Sequence, residues 1–227
     1  MIEKWNRLEL LIGKENLSVI KQKHVLVVGL GGVGGYVVEG LIRSGVEHLT
    51  IVDFDEVECT NLNRQIIALS STIGKKKVDL IKERCLDINS DAVVDSKMLF
   101  VDESNLEEVF DKKYDYVIDA CDTIKTKKLL IRQCLLTETP IISCLGTARK
   151  LDPKRLEIVD IKKTSYDPLA KILRKYMKEE FPTQKLMVLS SKEPPQKMKD
   201  GSLASFVFVP ATAGLLIAQF VISQFIK

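Results

Sequence analysis

Hydrophobic residues in this chain fall into short unbroken runs, separated by stretches with helical spacing. That alternation is expected of a parallel sheet covered by helices on both faces. The first run, His24 to Gly29, is β-branched and enters the glycine cluster Gly29-Leu30-Gly31-Gly32-Val33-Gly34-Gly35, after which Tyr36 to Ser44 continues with helical spacing. Leu49 to Val52 is a second buried strand, ends in Asp53-Phe54-Asp55 and completes a βαβ unit. Val78, Ile81, Cys85 and Ile88 then mark one face of an amphipathic helix whose wet side carries Lys77, Lys82 and Arg84.

The alternation continues through a strand over Val93 to Phe100 and a short helix announced by the capping-box pair Ser104 and Glu107. A strand over Tyr114 to Ala120 ends at Asp119-Ala120-Cys121-Asp122, and a helix over Thr126 to Leu136 and a strand over Pro140 to Leu145 follow. The fold predicted is α/β, Rossmann-like and doubly wound, with a mainly parallel sheet. Beyond Lys150 the pattern becomes a C-terminal extension: a strand over Leu156 to Ile161, a basic helix from Asp167-Pro168 through Phe181, and a strand over Leu186 to Leu189. The stretch Lys192 to Leu203, with Pro194-Pro195 and Gly201, reads as a mobile loop, and Ser205 to Val209 leads to a terminal helix after Pro210.

Composition narrows the class without changing this picture. With 227 residues, 45% hydrophobic and 29% charged, the chain is neither disordered, collagen-like nor disulfide-stapled. Its five cysteines form no CxxC pair and read as free buried thiols of a reducing compartment, the cytoplasm. Two histidines are too few for a structural zinc site. Ala211 to Ile226 is the one apolar stretch that invites a membrane reading. As a helix it reaches about 24 Å against a hydrocarbon layer of about 30 Å, and it carries Gln219 and Gln224. It is read as a buried or dimer-interface helix, with peripheral membrane contact as the alternative.

Charge is distributed unevenly: residues 1–119 carry 15 Lys and Arg against 21 Asp and Glu, whereas residues 120–227 carry 19 against 10. The basic half includes Lys125, Lys127, Lys128, Arg149, Lys150, Lys154, Arg155, Lys162, Lys163, Lys171, Arg174, Lys175 and Lys178. These read either as a surface for a polyanion such as RNA or as solvated helix faces.

A glycine turn between strand and helix presents backbone N–H groups at the positive end of the helix, where a phosphate can approach without meeting a Cβ. Gly29, Gly31, Gly32 and Gly34 are the candidates, and Asp53, ending the next strand, is placed to accept hydrogen bonds from a ribose. That much is an ordinary dinucleotide fingerprint. The residues that follow it, Asn61, Arg64, Gln65 and Lys77, add an amide, a guanidinium and an ammonium that a dinucleotide does not need but a triphosphate undergoing transfer does. Asp122, at the end of a later strand, is a natural magnesium ligand beside phosphates.

In order and spacing, Gly29 to Gly34, Asp53 to Asp55, Asn61 to Gln65, Lys77 and Asp119 to Asp122 resemble the adenylating superfamily of ubiquitin-activating and molybdopterin- or thiamine-related enzymes. Within it the second half is similar to the tRNA threonylcarbamoyladenosine dehydratases, through Val159-Asp160, Lys163-Thr164, Asp167-Pro168-Leu169-Ala170 and the helix around Ala213-Gly214. The resemblance runs from Trp5-Asn6-Arg7 to the C-terminus. It implies that Gly29, Gly31, Gly32 and Gly34 hold the nucleotide backbone, that Asp53 holds the ribose, and that Asn61, Arg64 and Lys77 hold the phosphates of ATP. Asp55 and Gln65 belong to the same nucleotide site. Asp122 would hold Mg2+, and Arg7 would reach the nucleotide of a partner subunit in a homodimer. Arg64, Lys77, Asp122 and Arg7 are the catalytic candidates, although Asp55 and Asn63 serve equally well as turn formers.

On this reading residues 1–227 form one ATP-binding adenylating domain, with a nucleotide-binding core over 1–150 and a substrate, tRNA and dimer extension over 151–227. The implied reaction is ATP-dependent dehydration, by cyclisation, of threonylcarbamoyladenosine in a tRNA anticodon loop. The paired CxxC zinc ligands of protein-activating members are absent. Leu186 to Ser191 is Leu-Met-Val-Leu-Ser-Ser, where some dehydratase relatives carry a cysteine. Two competing readings are adenylation of the C-terminus of a ubiquitin-like or sulfur-carrier protein, with a sulfur-acceptor-type partner, and a non-catalytic dinucleotide-binding module. The helix Asp167 to Phe181 and the loop Lys192 to Gly201 are the expected tRNA contacts. Filter binding across a salt series is expected to show log affinity for tRNA falling steeply and linearly with log salt.

Overall fold

The computed structural model describes residues 4–198 and 204–226. Seven strands form one sheet: β1 (His24–Val28), β2 (His48–Val52), β3 (Val93–Lys97), β4 (Tyr116–Asp119), β5 (Ile141–Cys144), β6 (Leu156–Asp160) and β7 (Met187–Ser191). Their order across the sheet is β3-β2-β1-β4-β5-β7-β6. Every pair is parallel except β6 with β7. The extension beyond residue 150 therefore completes the sheet of the core, and the doubly wound reading stands.

The central strands are apolar at consecutive positions because both faces are covered. In β1, Val25 and Val27 join one core while Leu26 and Val28 join the other. In β4, Tyr116 and Ile118 face the first core and Val117 the second. The first core is closed by α3 (Gly34–Arg43), α4 (Lys77–Ile88) and α8 (Phe208–Phe225), the second by α6 (Ile124–Leu136) and α7 (Pro168–Glu180). The edge strands are less buried: β3 carries Asp95 and Lys97, and β6 is half-buried throughout, which discourages pairing with another chain.

Two helices unmarked by the hydrophobic pattern, α1 (Asn6–Ile12) and α2 (Lys14–Lys21), pack at the amino ends of the strands. Leu8 and Leu17 crowd the place where Gly45 would carry a Cβ, and Lys4 pairs with Asp91 at 2.7 Å. The capping box at Ser104 does not form. The Ser104 N–H and hydroxyl both donate to Asp102, at 2.8 and 2.6 Å, so an Asp-led turn wins and α5 (Leu106–Val109) is a single turn. The terminal helix begins before Pro210, which sits in its first turn where no intrahelical N–H is lost.

The expected mobile loop is anchored at its start. The Lys192 N–H donates to Arg155, Lys192 Nζ pairs with Glu157 at 2.6 Å, and buried Glu193 accepts from the N–H groups of Leu151 and Asp152. Residues 199–203 of that loop lie outside the described residues.

By length and composition α8 is long and apolar enough to cross a membrane, yet its Val209, Ala213, Ile217 and Val221 stripe is buried. It lies close along α3 because a glycine stands at each point of nearest approach. A Cβ on Gly40 would lie 2.7 Å from that of Ala218, and one on Gly214 would lie 2.5 Å from the Val33 carbonyl oxygen. Gly214→Ala should therefore destabilise by about 1–3 kcal/mol through overpacking, outweighing the roughly 1 kcal/mol gained in helix propensity. Urea denaturation should show a lower midpoint at unchanged slope.

Candidate functional site

Between β1 and β4 the chain order reverses, and in open α/β sheets the crevice beyond the carboxyl ends at such a point is where ligands bind. A cleft of about 460 Å3 opens there, within the roughly 300–1,000 Å3 usual for small-molecule sites. Gly29, Gly31, Gly32, Asp53, Asp55, Asn61, Arg64, Gln65, Lys77 and Asp122 all line it.

The glycines divide the work. Gly29 has φ +91° and would press a Cβ to 2.7 Å from the Ala120 backbone, so it lets β1 leave the sheet against the end of β4. Gly31 faces open space, with only Gln65 Nε2 at 3.9 Å from where its Cβ would stand. Gly32 is flanked by Arg64 and Pro210. Gly34 does not line the cleft: a Cβ there would fall 1.7 Å from the Gly29 carbonyl oxygen, so its role in this fold is close packing of helix on strand.

Asp53 fastens the turn. Its carboxylate accepts from the Leu30 N–H at 2.6 Å and the Asp55 N–H at 2.8 Å. Burial pushes this carboxyl above the usual carboxylate range, against the pull of Lys77 and of the two N–H donors. Lys77, the first residue of α4, is nearly buried and pairs with Asp55 at 2.7 Å. The ammonium is thus held at the cleft wall by Asp55, the carboxylate also read as a turn former.

A 3-10 turn over Cys59–Asn61 presents the next group. Asn61 Oδ1 accepts from the Glu58 N–H at 3.1 Å, and Arg64 is steadied by the Thr60 carbonyl at 2.7 Å and Asn63 Oδ1 at 3.0 Å. Asn63 donates to the Ser205 carbonyl at 3.0 Å, tying this loop to the segment before α8. Among the described residues Gln65 Oε1 is buried without a hydrogen-bond partner, beside open Gly31. An orphaned acceptor over a cradle that a Cβ would fill suits a ligand carrying N–H or O–H donors.

Asp122 is exposed at the cleft, its only hydrogen bond among the described residues a 3.4 Å contact from the Thr123 hydroxyl. Among the described residues no cluster of three His, Cys, Asp or Glu could hold a metal alone. One free carboxylate beside a triphosphate is nonetheless how magnesium is commonly held, the phosphates and water completing its shell. Arg7 lies on α1, at the opposite end of the strands, and does not line the cleft of its own chain.

Beneath Asp122 lies a network absent from the sequence reading. Lys127, fully buried, pairs with fully buried Asp119 at 3.0 Å and donates to the Cys144 carbonyl at 2.7 Å. Asp119 also accepts from the Ser143 hydroxyl at 2.6 Å and the Cys121 thiol at 2.9 Å. Burial alone would push the Lys127 ammonium down, but the charge of Asp119 outweighs it and holds the group above its ordinary value. The available signal was position: Lys127 falls on the helical stripe of Leu130, Ile131 and Cys134, all buried.

Lys127 therefore leaves the set of residues read as a polyanion surface, and so does Lys150. Lys150 is buried, donates to the Gly146 carbonyl at 2.7 Å and stands 3.9 Å from Asp167. Burial pushes its ammonium below the usual lysine range, with Asp167 opposing. Asp167 caps α7 and accepts from the Gly146 N–H at 3.0 Å. These bonds fix Gly146 to Ala148 as the far wall of the cleft, beside Leu169, Ser205 and Pro210.

Burial pushes the Cys85 and Cys144 thiols up to about 12, and those of Cys121 and Cys134 higher still, so none is a thiolate near neutrality. Only Cys59 is exposed.

Residues 5–160 match the model of the ThiF family. Over 244 aligned residues the chain is 41% identical to the tRNA threonylcarbamoyladenosine dehydratase of Bacillus subtilis, covering 100% of this chain and 96% of that one. It is 39% identical to a protein of the same name from Haemophilus influenzae over 74% of this chain and 64% of that one. The crystal structure of Escherichia coli tRNA N6-threonylcarbamoyladenosine dehydratase, TcdA, in complex with ATP superposes with a TM-score of 0.92 at 30% identity, covering 99% of this chain and 94% of that one.

The buried pair makes a stability prediction. Lys127→Met should cost about 3–5 kcal/mol, because Asp119 is left charged and unpaired in the interior. Adding Asp119→Asn should recover part of that loss, with urea denaturation as the readout.

Proposed function

Because the chain belongs to the ThiF family, we propose that it is an ATP-dependent dehydratase that cyclises threonylcarbamoyladenosine in tRNA. The observation that carries this reading is the cleft itself. It sets Arg64, Lys77 and Asp122 around a glycine turn, in a chain that matches a named dehydratase over its whole length.

The glycine turn and the orphaned Gln65 acceptor receive the nucleotide, and Asp53, held by two N–H groups, faces the ribose. Arg64 and Lys77 offset the charge that builds on the phosphates as they separate. Each is already oriented by protein partners, so little reorganisation is needed when that charge develops. Asp122 would hold Mg2+, whose chemistry here is neutralisation of phosphate charge. The threonyl carboxylate oxygen attacks the α-phosphorus, forming a mixed anhydride with AMP and releasing pyrophosphate. An atom of the neighbouring urea group then attacks the activated carboxyl carbon, closes a five-membered ring, expels AMP and gives up its proton. The sum is loss of one water from the nucleoside. Both reacting groups are tethered, and effective molarities of such pairs reach about 10⁵ M or more. No protein nucleophile is needed, in keeping with the upward-shifted thiols of Cys85, Cys121, Cys134 and Cys144.

The assembly we propose is a homodimer in which Arg7 reaches the partner's nucleotide. Exposed Leu10 and Leu11 on α1 and Phe208 and Leu215 on α8 supply apolar surface of the kind a dimer covers. The compartment is the cytoplasm, where five unpaired cysteines stay reduced. A sulfur-acceptor-type partner would have only Cys59 to meet among these thiols.

The test is to incubate the protein with ATP, magnesium and tRNA carrying threonylcarbamoyladenosine, digest the RNA mildly and weigh the nucleoside. Loss of one water that requires ATP is expected, and Arg64→Ala should slow it by about 10²–10³-fold. An unchanged nucleoside mass on fully modified tRNA would overturn the reading.

A further inference from the structure

On one side of the sheet, two helices begin at the rim of the cleft and carry rows of cations away from it. Thr126 of α6 and Leu169 of α7 both line the cleft. From there Lys125, Lys128 and Arg132 recur at i, i+3 and i+7 along α6, and Lys171, Lys175 and Lys178 at i, i+4 and i+7 along α7. Both spacings keep the residues on one helix face. Lys128 is half-exposed and the other five are exposed. Each row is about 10 Å long at 1.5 Å per residue.

The two rows form one surface. α6 and α7 pack together, with the Lys128 ammonium 5.0 Å over the Tyr176 ring and the Tyr176 hydroxyl 3.4 Å from the Lys128 carbonyl. No acidic residue occurs in α6, and in α7 the acids are confined to the last turn, Glu179 and Glu180. Neutralisation by neighbours is slight: the described ion pairs of these six cations comprise Lys175 with Glu179, at 3.8 Å. Three other basic residues of the region are spent internally. Lys127 and Lys150 are buried, and Arg174 donates to Thr164 at 2.9 Å.

The surroundings give the surface a direction. The nucleotide side of the cleft mouth carries Asp55, Glu56 and Glu58. Across from α6, the turn around α5 exposes Asp102, Glu103, Glu107 and Glu108. Helix α4, on the other face of the sheet, mixes both signs. A polyanion is thus repelled from two sides, meets no net charge on α4, and is attracted on one side, which adjoins the Gly146 to Ala148 wall beyond Asp122.

We infer that the α6–α7 face is the docking surface for the RNA backbone, delivering the modified nucleotide to the Gly146–Ala148 end of the cleft. The inference rests on the dehydratase reading for its choice of RNA. The helices act through phosphate contacts, so they set affinity and register and leave base identity to the cleft.

Fluorescence anisotropy with an unmodified tRNA transcript, across a salt series, separates this face from the chemistry. The variants are Lys125→Glu/Arg132→Glu on α6, Lys171→Glu/Lys175→Glu on α7, and Lys14→Glu on α2 as an exposed control. ATP binding is measured on each to show that the cleft is intact. Each double variant should bind tRNA about tenfold or more weakly, with a salt slope shallower by about 2, one per lost phosphate contact. The control should bind as the parent does. If the parent binds tRNA and both double variants match it in affinity and slope, the docking face is wrong while the dehydratase reading stands. A parent that binds ATP but no tRNA would sink the docking face, and the nucleoside mass on modified tRNA would then decide the dehydratase reading. If the double variants keep tRNA binding but lose binding to phosphatidylserine-containing vesicles, the surface belongs to a membrane, and the inference fails.

Discussion

A single ion pair, Asp119 with Lys127, lies where sheet, cleft and basic face meet. Both partners are fully buried, so neither is tolerable without the other, and the pair makes sense only with its remaining valences filled by Ser143, Cys121 and the Cys144 carbonyl. The pair and these partners belong to the ends of β4 and β5 and to the start of α6. The bonds therefore fix the carboxyl ends of two adjacent strands and the helix that leaves one of them. Asp122 and Thr123 sit between these fixed points, and Gly146 follows directly from one of them. The cleft floor is set by electrostatics in a dry interior, where geometry is least forgiving.

The same economy governs the rest of the cleft. Asp53 is spent on two backbone N–H groups and Asp55 on Lys77, so the acids of the strand-end motif hold the cleft together as well as lining it. Arg64 is braced by Thr60 and Asn63, and Asn63 in turn reaches Ser205 on the opposite wall. Arg149 bridges the same wall, its N–H donating to Ala204 and its carbonyl accepting from Gln196. Segments far apart in the chain are thereby stitched around one space, which is what preorganisation requires of residues carried on loops.

Much of this was legible beforehand. Unbroken apolar runs such as Val25 to Val28 mark strands buried on both faces, and the glycine turn, Asp53, Arg64, Lys77 and Asp122 converge on one cleft as their order suggested. What escaped was whatever depends on a tertiary partner. Lys150 carries no sequence mark that separates it from a surface lysine and Lys127 only its place on the Leu130, Ile131 and Cys134 stripe, and a buried carboxylate or carbonyl holds each. Gly34 lies inside a phosphate-turn motif, yet its missing Cβ serves the Gly29 carbonyl. The Ser104 cap lost to Asp102 because two local carboxylate bonds outcompete one hydroxyl. Helices α1 and α2 are only two turns each, too short for a periodicity to show, so their place comes from docking.

The thiols lead in a different direction. Cys85, Cys121, Cys134 and Cys144 are withdrawn and titrate far above neutrality, whereas Cys59 stands in the open at the first position of the 3-10 turn that ends at Asn61. A maleimide dye would thus meet Cys59 first in the native protein, two residues from Asn61 on the cleft wall. The molecule carries its own attachment point for a fluorophore sensitive to how that loop settles, with no engineered cysteine.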